Sequence, residues 1–247
     1  MKIPKIIHQT WKNKEKNESI DTLRNTWIDK NPGYQYRYYD DTDIENFIKK
    51  HFSPQLLGFY KRIIAGSLKA DMFRYCVLYI HGGFYIDVDI SCVKPLDEVV
   101  DSQSTMVTTT DHCSSHDSDR IYQAFLGTVP RCSLFLGMIQ CIVDNMNAGR
   151  FRFDLFQLSG PVLFSRLLKK YINNTLKIES CVRFLSAQKI TKEQTGEQFE
   201  IFTHNIEKEQ LESIDGVVFA IAQHKIDRKD NLHYYDDRSK FPQGFHV

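Results

Sequence analysis

A helix, a glycine pair and a carboxylate-bearing strand follow one another without a spacer, and this segment most constrains the fold. Apolar side chains recur at helical spacing over residues 66–80. Gly82 and Gly83 then end the helix and turn the chain into an apolar strand that carries Asp87 and Asp89. Because side chains alternate along a strand, we expect both carboxylates on one face. Such a pair is costly to bury without a cation, so the pattern predicts a divalent-metal site that keeps positions for phosphate oxygens.

The rest of the chain alternates predicted strands and helices, which is typical of an α/β domain with a mostly parallel central sheet. The predicted strands cover residues 3–9, 34–39, 106–110 and 217–222, and the predicted helices cover residues 20–30, 42–52, 66–80 and 161–172, with another beginning at Ser53-Pro54. A capping box from Thr42 to Glu45 is expected to open the second helix. Ligands bind at the carboxyl ends of the strands in such sheets. The polar residues that end or follow the predicted strands, Asp111 among them, could therefore converge on one rim.

Length, composition and charge limit the class of protein to which the chain can belong. The chain has 247 residues, of which 42% are hydrophobic and 26% charged, as in a soluble globular domain. A net charge of +1 gives no electrostatic case for nucleic acid or a membrane surface. We find no apolar run of the roughly 18 residues that a membrane helix needs, and no signal peptide. The six cysteines lack metal-ligand spacing, so we expect reduced thiols. We expect one domain over residues 1–247.

Asp71 and Arg74 lie three residues apart on the helix that leads into the Asp-Val-Asp strand, so they are neighbours on its surface. Together they could hold sugar hydroxyls, one accepting and one donating; a surface ion pair is the alternative. Breaking the anomeric bond of a nucleotide diphosphate sugar leaves negative charge on the diphosphate. A metal ion held by Asp89 would neutralise that charge. The arrangement therefore suits glycosyl transfer, with Asp71, Arg74 and Asp87 positioning the sugar.

Other candidate residues end predicted strands or begin a helix. Trp11, which follows His8 at the end of the first strand, could stack on a nucleotide base or pack in the core. His224 follows the last strand and is a candidate third ligand for manganese, although a histidine there can also be structural. Ser159 and Gly160 at a helix start could bring backbone N–H groups to a sugar or phosphate, or serve as a cap.

Four motifs occur in the order and spacing of one known family. They are Ile3–Trp11, Asn31–Tyr34, Ala70–Tyr75 and Leu78–Asp89. On these motifs the chain resembles the glycosyltransferases whose sugar-binding region contains an Asp-x-Asp motif. The resemblance implies a GT-A type, Rossmann-like fold that binds a nucleotide sugar, dependence on manganese (or magnesium), and retention of the anomeric configuration.

The resemblance also implies roles for individual residues. It places His8 and Trp11 on the nucleotide, with the indole against the base, and Ser159 and Gly160 near the donor. It makes Asp71 and Arg74 the clamp on the donor sugar, Asp87 a contact of sugar or ribose as well as of the metal site, and Asp89 the direct metal ligand. Relatives often carry His followed by Ser-Trp near the C-terminus. Here Lys225 follows His224, which is our first choice for the third ligand, with His233 the second.

We therefore expect a metal-dependent, retaining glycosyltransferase. It would move a hexose from a nucleotide diphosphate sugar, a UDP-sugar by preference or GDP-mannose, to a glycan or polysaccharide acceptor. The alternatives are a metal-dependent phosphohydrolase, which should show more Asp, Glu and His ligands, and a non-catalytic nucleotide- or glycan-binding domain, which should have lost a site residue. Residues 1–110 would bind the donor, and residues 111–247 would form the acceptor side.

The cellular setting is predicted from the N-terminus. Because the chain begins almost at its first strand, we expect a cytoplasmic enzyme of bacterial or viral glycan assembly, and a Golgi enzyme only if an anchor was removed. We expect no nucleic-acid partner and no integral membrane segment. The sequence does not specify an oligomeric state.

Overall fold

The computed structural model describes residues 3–111, 120–151, 154–176, 188–191, 197–205, 208, 210–213 and 217–222. The helices are α1 (Glu18–Lys30), α2 (Asp41–His51), α3 (Pro54–Arg62), α4 (Gly66–His81), α5 (Leu96–Val99), α6 (Ser133–Asn147), α7 (Leu155–Leu158) and α8 (Pro161–Leu176). The strands are β1 (Ile6–Thr10), β2 (Gln35–Tyr39), β3 (Gly83–Ile86), β4 (Ile90–Cys92), β5 (Met106–Asp111), β6 (Arg120–Thr128), β7 (Gln188–Thr191), β8 (Gln198–Asn205), β9 (Gln210–Glu212) and β10 (Val218–Ala222).

The ten strands of the described part of the chain form one mixed sheet. Its order is β2-β1-β3-β6-β5-β8-β9-β10-β4, with β7 paired to β8. In the central portion β2, β1, β3, β5 and β8 run in one direction, and β6 is reversed between β3 and β5. The predicted α/β class with a mostly parallel central sheet is therefore confirmed. The antiparallel extension through β9, β10 and β4 was not predicted from the sequence.

β3 is buried on both faces of the sheet, as expected for a strand inside an α/β core. Tyr85 belongs to the core cluster built with α4, α6 and α8. Phe84 and Ile86 face the opposite cluster, which contains Trp27 of α1. Packing from both sides fixes the position at which β3 ends, and the residues of the candidate site begin at that end.

Most helix predictions agree with the structure, and α2 shows a difference of detail. α3 begins as predicted, with the Ser53 side chain accepting from the Leu56 N–H. The capping box of α2, however, is formed by Asp40 and Asp43. The Asp40 carboxylate accepts from the Asp43 N–H at 2.8 Å, so the predicted box from Thr42 to Glu45 is wrong. Asp40 directly follows β2, and an aspartate caps a helix at least as well as a threonine, so the helix begins earlier.

The prediction that Asp87 and Asp89 lie on one face of a strand is also wrong. β3 ends at Ile86, and the Asp87 N–H makes a last ladder bond of 2.8 Å to the Ala124 carbonyl. The chain then turns, with the Ile90 N–H donating to the Asp87 carbonyl at 3.2 Å. The two carboxylates therefore belong to a turn between β3 and β4, which we call the Asp-Val-Asp turn (residues 87–89).

Candidate functional site

A buried chain of charges runs from α4 to the Asp-Val-Asp turn. The Arg74 guanidinium lies 2.8 Å from the Asp71 carboxylate, through Nη1, and 3.0 Å from the Asp87 carboxylate, through Nη2. Asp71 is 5% exposed and Arg74 is 1% exposed, so the alternative of a surface ion pair does not apply. The helical spacing places Asp71 beside Arg74, and the end of β3 brings Asp87 to the same guanidinium. Arg74 thereby joins the two predicted sugar-binding carboxylates.

Asp71 is held by two further side chains. Gln123 Nε2 donates to its Oδ1 at 2.8 Å, and Ser159 Oγ donates to its Oδ2 at 2.5 Å. Burial raises the pKa of Asp71, while the charge of Arg74 and the Ser159 hydrogen bond oppose that rise. The Tyr75 hydroxyl lies 2.7 Å from Gln123 Oε1 and 2.9 Å from the Ser159 carbonyl. The orientation of the Asp71 carboxylate is therefore set by β6 and by the start of α8, as well as by Arg74.

Gln123 was not predicted from the sequence. Opposite the Thr108–Thr109 step of β5, the register of β6 jumps from Leu126 to Tyr122, so β6 carries a bulge. The bulge turns Gln123 towards Asp71 and the Ala124 carbonyl towards Asp87. Bulges commonly re-aim a side chain near a functional site. The available signal was a glutamine inside an otherwise apolar strand.

Asp89 lies at the open end of this chain of charges. Its side chain is half-buried, and burial together with the neighbouring Asp87 charge raises the pKa of Asp89 to about 7. Within the described residues, its carboxylate makes no ion pair and no hydrogen bond to another side chain. A half-buried carboxylate in that state gains most from a cation, so the residues present fit a divalent ion held by Asp89 and Asp87.

A third protein ligand for such an ion is not found among the residues that the structure describes. No group of three His, Cys, Asp or Glu side chains is arranged there to hold a metal. His224 and His233 lie outside the described residues. Their role as ligands stays a prediction.

The side of the site formed by β1 carries Gln9 and Trp11. Gln9 is fully buried, and its Nε2 donates to the Asp87 carbonyl at 3.2 Å. Trp11 is partly exposed and packs against the cluster that contains Val88 of the Asp-Val-Asp turn. The indole therefore lies at the rim beside the turn and keeps exposed surface, as a base platform requires.

His8 and Gly160 are both engaged by contacts within the fold. His8 is fully buried, with Nδ1 3.1 Å from the Tyr39 hydroxyl and Nε2 3.0 Å from the Gly82 carbonyl. Burial lowers the pKa of His8 to about 3, so its ring is neutral at pH 7. A Cβ on Gly160 would meet the Leu155 carbonyl oxygen and the Phe156 Cα at 2.9 Å. These contacts belong to the fold, and the roles of both residues at the donor stay predictions.

Comparison with known proteins identifies the family of the chain. Residues 17–106 match the family described as "Glycosyltransferase sugar-binding region containing DXD motif". The chain belongs to this family. Inositol phosphoceramide mannosyltransferase 2 of Schizosaccharomyces pombe is 34% identical over 170 residues, covering 68% of this chain and 47% of that protein. Mannosyl phosphorylinositol ceramide synthase CSH1 of Saccharomyces cerevisiae is 30% identical over 170 residues, covering 68% and 43%. The chain thus spans less than half the length of these two family members.

A solved structure shows the same fold. The protein named PaToxG Glycosyltransferase superposes with a TM-score of 0.54 at 18% sequence identity, and the match covers 71% of each chain. The predicted GT-A type fold is therefore confirmed. At that identity the likeness concerns the fold alone.

The predicted cytoplasmic location in bacterial or viral glycan assembly is wrong. The relatives that match over 68% of the chain are yeast proteins, and they are named for mannosyl transfer to inositol phosphoceramide rather than for a bacterial or viral polysaccharide. The start of the chain, on which the prediction relied, carries no information about the compartment. Among the described helices, none combines the length and the hydropathy that crossing a membrane requires.

Proposed function

We propose that this chain transfers a hexose, with mannose the favoured sugar, from a nucleotide diphosphate donor to a glycan acceptor. The observation that carries the proposal is the buried Asp71–Arg74–Asp87 chain with Asp89 at its open end. Arg74 pairs with Asp71 and Asp87, and Asp89 follows two residues after Asp87. Three carboxylates therefore lie near one guanidinium, so two negative charges are left when all three are ionised. A divalent ion has the charge that balances them.

The donor sugar would lie against Asp71, Arg74 and Asp87. Carboxylate oxygens accept from sugar hydroxyls and guanidinium N–H groups donate to them, so the three side chains can read neighbouring hydroxyls. Their burial and mutual hydrogen bonds hold them in place before the sugar arrives. Pre-positioned groups of this kind lower the barrier because they need not reorganise during the reaction.

Asp89 and Asp87 would hold the metal, manganese or magnesium. When bound, the ion would supply a Lewis acid that neutralises the charge on the leaving diphosphate. Burial and the neighbouring Asp87 charge raise the pKa of Asp89, so the metal-free carboxylate holds a proton to a higher pH than a free aspartate does. Metal binding is therefore expected to release a proton near neutral pH.

The partly exposed Trp11 would carry the nucleotide base, since aromatic faces hold bases without strong preference among them. The sequence alone favoured a UDP-sugar over GDP-mannose. The names of the family members described above, which are mannosyltransferases, favour GDP-mannose as the first donor to test.

Retention of the anomeric configuration is part of the proposal. An inverting enzyme needs a general base on the face opposite the leaving group. The described carboxylates Asp71, Asp87 and Asp89 are all engaged on the donor side, by Arg74 or by the predicted metal. A retaining route lets the departing diphosphate take the acceptor proton on the same face, so it needs no such base.

A donor screen tests the function. GDP-mannose and the common UDP-hexoses are incubated with manganese, and the released nucleotide and the product are measured. We expect release of a nucleoside diphosphate and an α-linked product, identified by NMR from the one-bond coupling between its anomeric carbon and proton. Release of inorganic phosphate instead would favour a phosphohydrolase. A β-linked product from an α-linked donor would contradict the retaining mechanism.

A further inference from the structure

α7 carries an exposed aromatic side chain close to the candidate site. Phe156 is 44% exposed, whereas Leu158 on the same short helix is 4% exposed. Burying a phenylalanine ring stabilises a protein by roughly 1.5–3 kcal/mol, so an exposed ring forgoes that gain unless a ligand covers it.

The backbone beneath Phe156 is fixed by contacts to the site. Ser159, which directly follows α7, donates to Asp71 and accepts at its carbonyl from Tyr75. Gly160 packs so closely on α7 that a Cβ would lie 2.9 Å from the Phe156 Cα. The position of the ring is therefore tied to the position of the Asp71 carboxylate.

A second set of contacts reaches Phe156 from β6. The guanidinium carbon of Arg120 lies 5.8 Å from the centre of the Phe156 ring. Arg120 begins β6, and Gln123, three residues further along, donates to Asp71. Both elements that meet at Phe156 thus also touch Asp71.

The sheet order places Phe156 and Trp11 on opposite sides of the Asp-Val-Asp turn. β3 lies between β1, which leads to Trp11, and β6, which carries Arg120. If the nucleotide lies on the β1 side and the sugar at Asp71, the β6 side is left for the acceptor. This assignment rests on the function proposed above.

We propose that Phe156 is the acceptor platform, a ring face on which a six-membered polyol ring, either a pyranose or a cyclitol, stacks for transfer. Such rings present an apolar C–H face that an aromatic ring can cover while their hydroxyls stay hydrogen-bonded. Arg120 holds the Phe156 ring by a cation–π contact. An acyclic polyol has no such flat face and binds less well.

The test is an NMR titration of the full chain, with GDP and magnesium present, using three probes. Methyl α-D-mannopyranoside and myo-inositol represent the two ring sources, and mannitol is the acyclic comparison. We expect at least one of the two rings to bind the unchanged protein more tightly than mannitol does. Phe156→Ala should raise the dissociation constant of the bound ring about tenfold, or about 1.4 kcal/mol, and Phe156→Trp should preserve it.

Leu136→Ala is the matched control. Leu136 is 45% exposed, about as much as Phe156, but it lies on α6 and not on α7. The substitution should leave ring binding unchanged. Failure of the unchanged protein to prefer a ring over mannitol, or an equal affinity for the ring in Phe156→Ala, overturns the proposal. The GDP affinity of Phe156→Ala should stay unchanged. Failure of the unchanged protein to bind GDP would contradict the donor site, whereas normal GDP binding without a preference for rings would contradict the platform alone.

Discussion

β3 begins beside a cluster of histidines and ends beside a cluster of carboxylates. Burial lowers the pKa values of the histidines and raises those of two of the carboxylates. At the first end, the rings of His8 and His81 stack at 6.1 Å, and His51 lies 5.7 Å from His81. Burial lowers the pKa of His8 to about 3 and that of His81 to about 4. The histidine cluster (His8, His51 and His81) is therefore neutral at pH 7.

At the other end, burial raises the pKa of Asp71 and brings that of Asp89 to about 7. The carboxylates gather around the single guanidinium of Arg74, so negative charge remains in excess. The histidine end satisfies its polar atoms within the fold, as the bonds from His8 to Gly82 and Tyr39 show. In the function proposed above, the carboxylate end is completed by a ligand. We therefore expect the histidine end to serve folding and the carboxylate end to serve binding.

Removing one charge from the carboxylate end should have the largest effect on glycosyl transfer. We expect Asp89→Asn to lower transfer by about a thousandfold or more, because it removes the predicted metal ligand. The thermal midpoint of the metal-free variant should stay the same or rise, since a half-buried carboxylate beside the Asp87 charge is gone. Asp97→Asn, at an exposed aspartate paired with Lys5, is the control. Near-normal turnover of Asp89→Asn in manganese would contradict the metal assignment.

Removing the shared cation should weaken the fold as well as the reaction. Arg74→Ala removes the only cation that pairs, within the described residues, with the buried Asp71 and the partly buried Asp87. The hydrogen bonds from Gln123 and Ser159 to Asp71 do not neutralise its charge, so we expect a loss of about 3–5 kcal/mol in the free energy of unfolding. Lys61→Ala is the control, because Lys61 pairs with Glu45 at 3.2 Å and both side chains are exposed. Its loss should be at most about 1 kcal/mol. Urea unfolding of the two variants measures the difference, and equal losses would show that burial does not set the strength of the pair.

The histidine end should respond to acid. The native state keeps His8 and His81 neutral, while the unfolded chain binds protons below a pKa of 6.5. Stability is thus fully present above pH 6.5 and is lost as the pH falls towards the folded pKa values. We expect a loss of about 1–2 kcal/mol from His8 between pH 6.5 and pH 5, and less from the half-buried His81.

His8→Gln tests this expectation, because it removes the titrating ring while keeping a side chain that can donate to the Gly82 carbonyl. The free energy of unfolding of the variant should vary less between pH 7 and pH 5 than that of the unchanged protein. An unaltered pH dependence would mean that other groups cause the acid response. The groups facing His81 are Arg37, Lys50, His51 and Arg131, which oppose its protonation.

The smallest expected effect is a fluorescence change at the base platform. Nucleotide binding should partly quench Trp11, which is exposed at the rim. Trp27 is fully buried and its Nε1 donates to the Ile90 carbonyl at 2.7 Å, so its emission should not respond. Trp11→Phe should therefore abolish the quench. A saturable signal of the same size in that variant would remove Trp11 from the donor site.

Local signals explain which parts of the site could be predicted from the sequence. The helical period and the glycine end of α4 depend on neighbours in the chain, so the pair Asp71 and Arg74 could be placed beside the end of β3. The turn at Asp87–Asp89 could not, because it is set by distant partners. β4 pairs with β10, and Trp27 binds the Ile90 carbonyl, and both contacts override the alternation of the sequence.

The same reason accounts for what was missed after residue 110. Gln123 reaches Asp71 through a bulge that arises where β6 pairs with β5 and β3 at once. Neither partner is adjacent to the bulge in sequence. Ser159 was named as a backbone contact of the donor, but the structure gives it a side-chain bond to Asp71. Pairing between distant segments fixed each of these positions, and local periodicity does not report it.

One titration tests the central claim that the carboxylate end is completed by a metal and a nucleotide. GDP and UDP are titrated calorimetrically into the protein with and without manganese, and the same is done with Asp89→Asn. The account predicts that manganese tightens nucleotide binding to the unchanged protein by at least about tenfold and does not do so in the variant. Equal nucleotide affinity with and without manganese in the unchanged protein would contradict it.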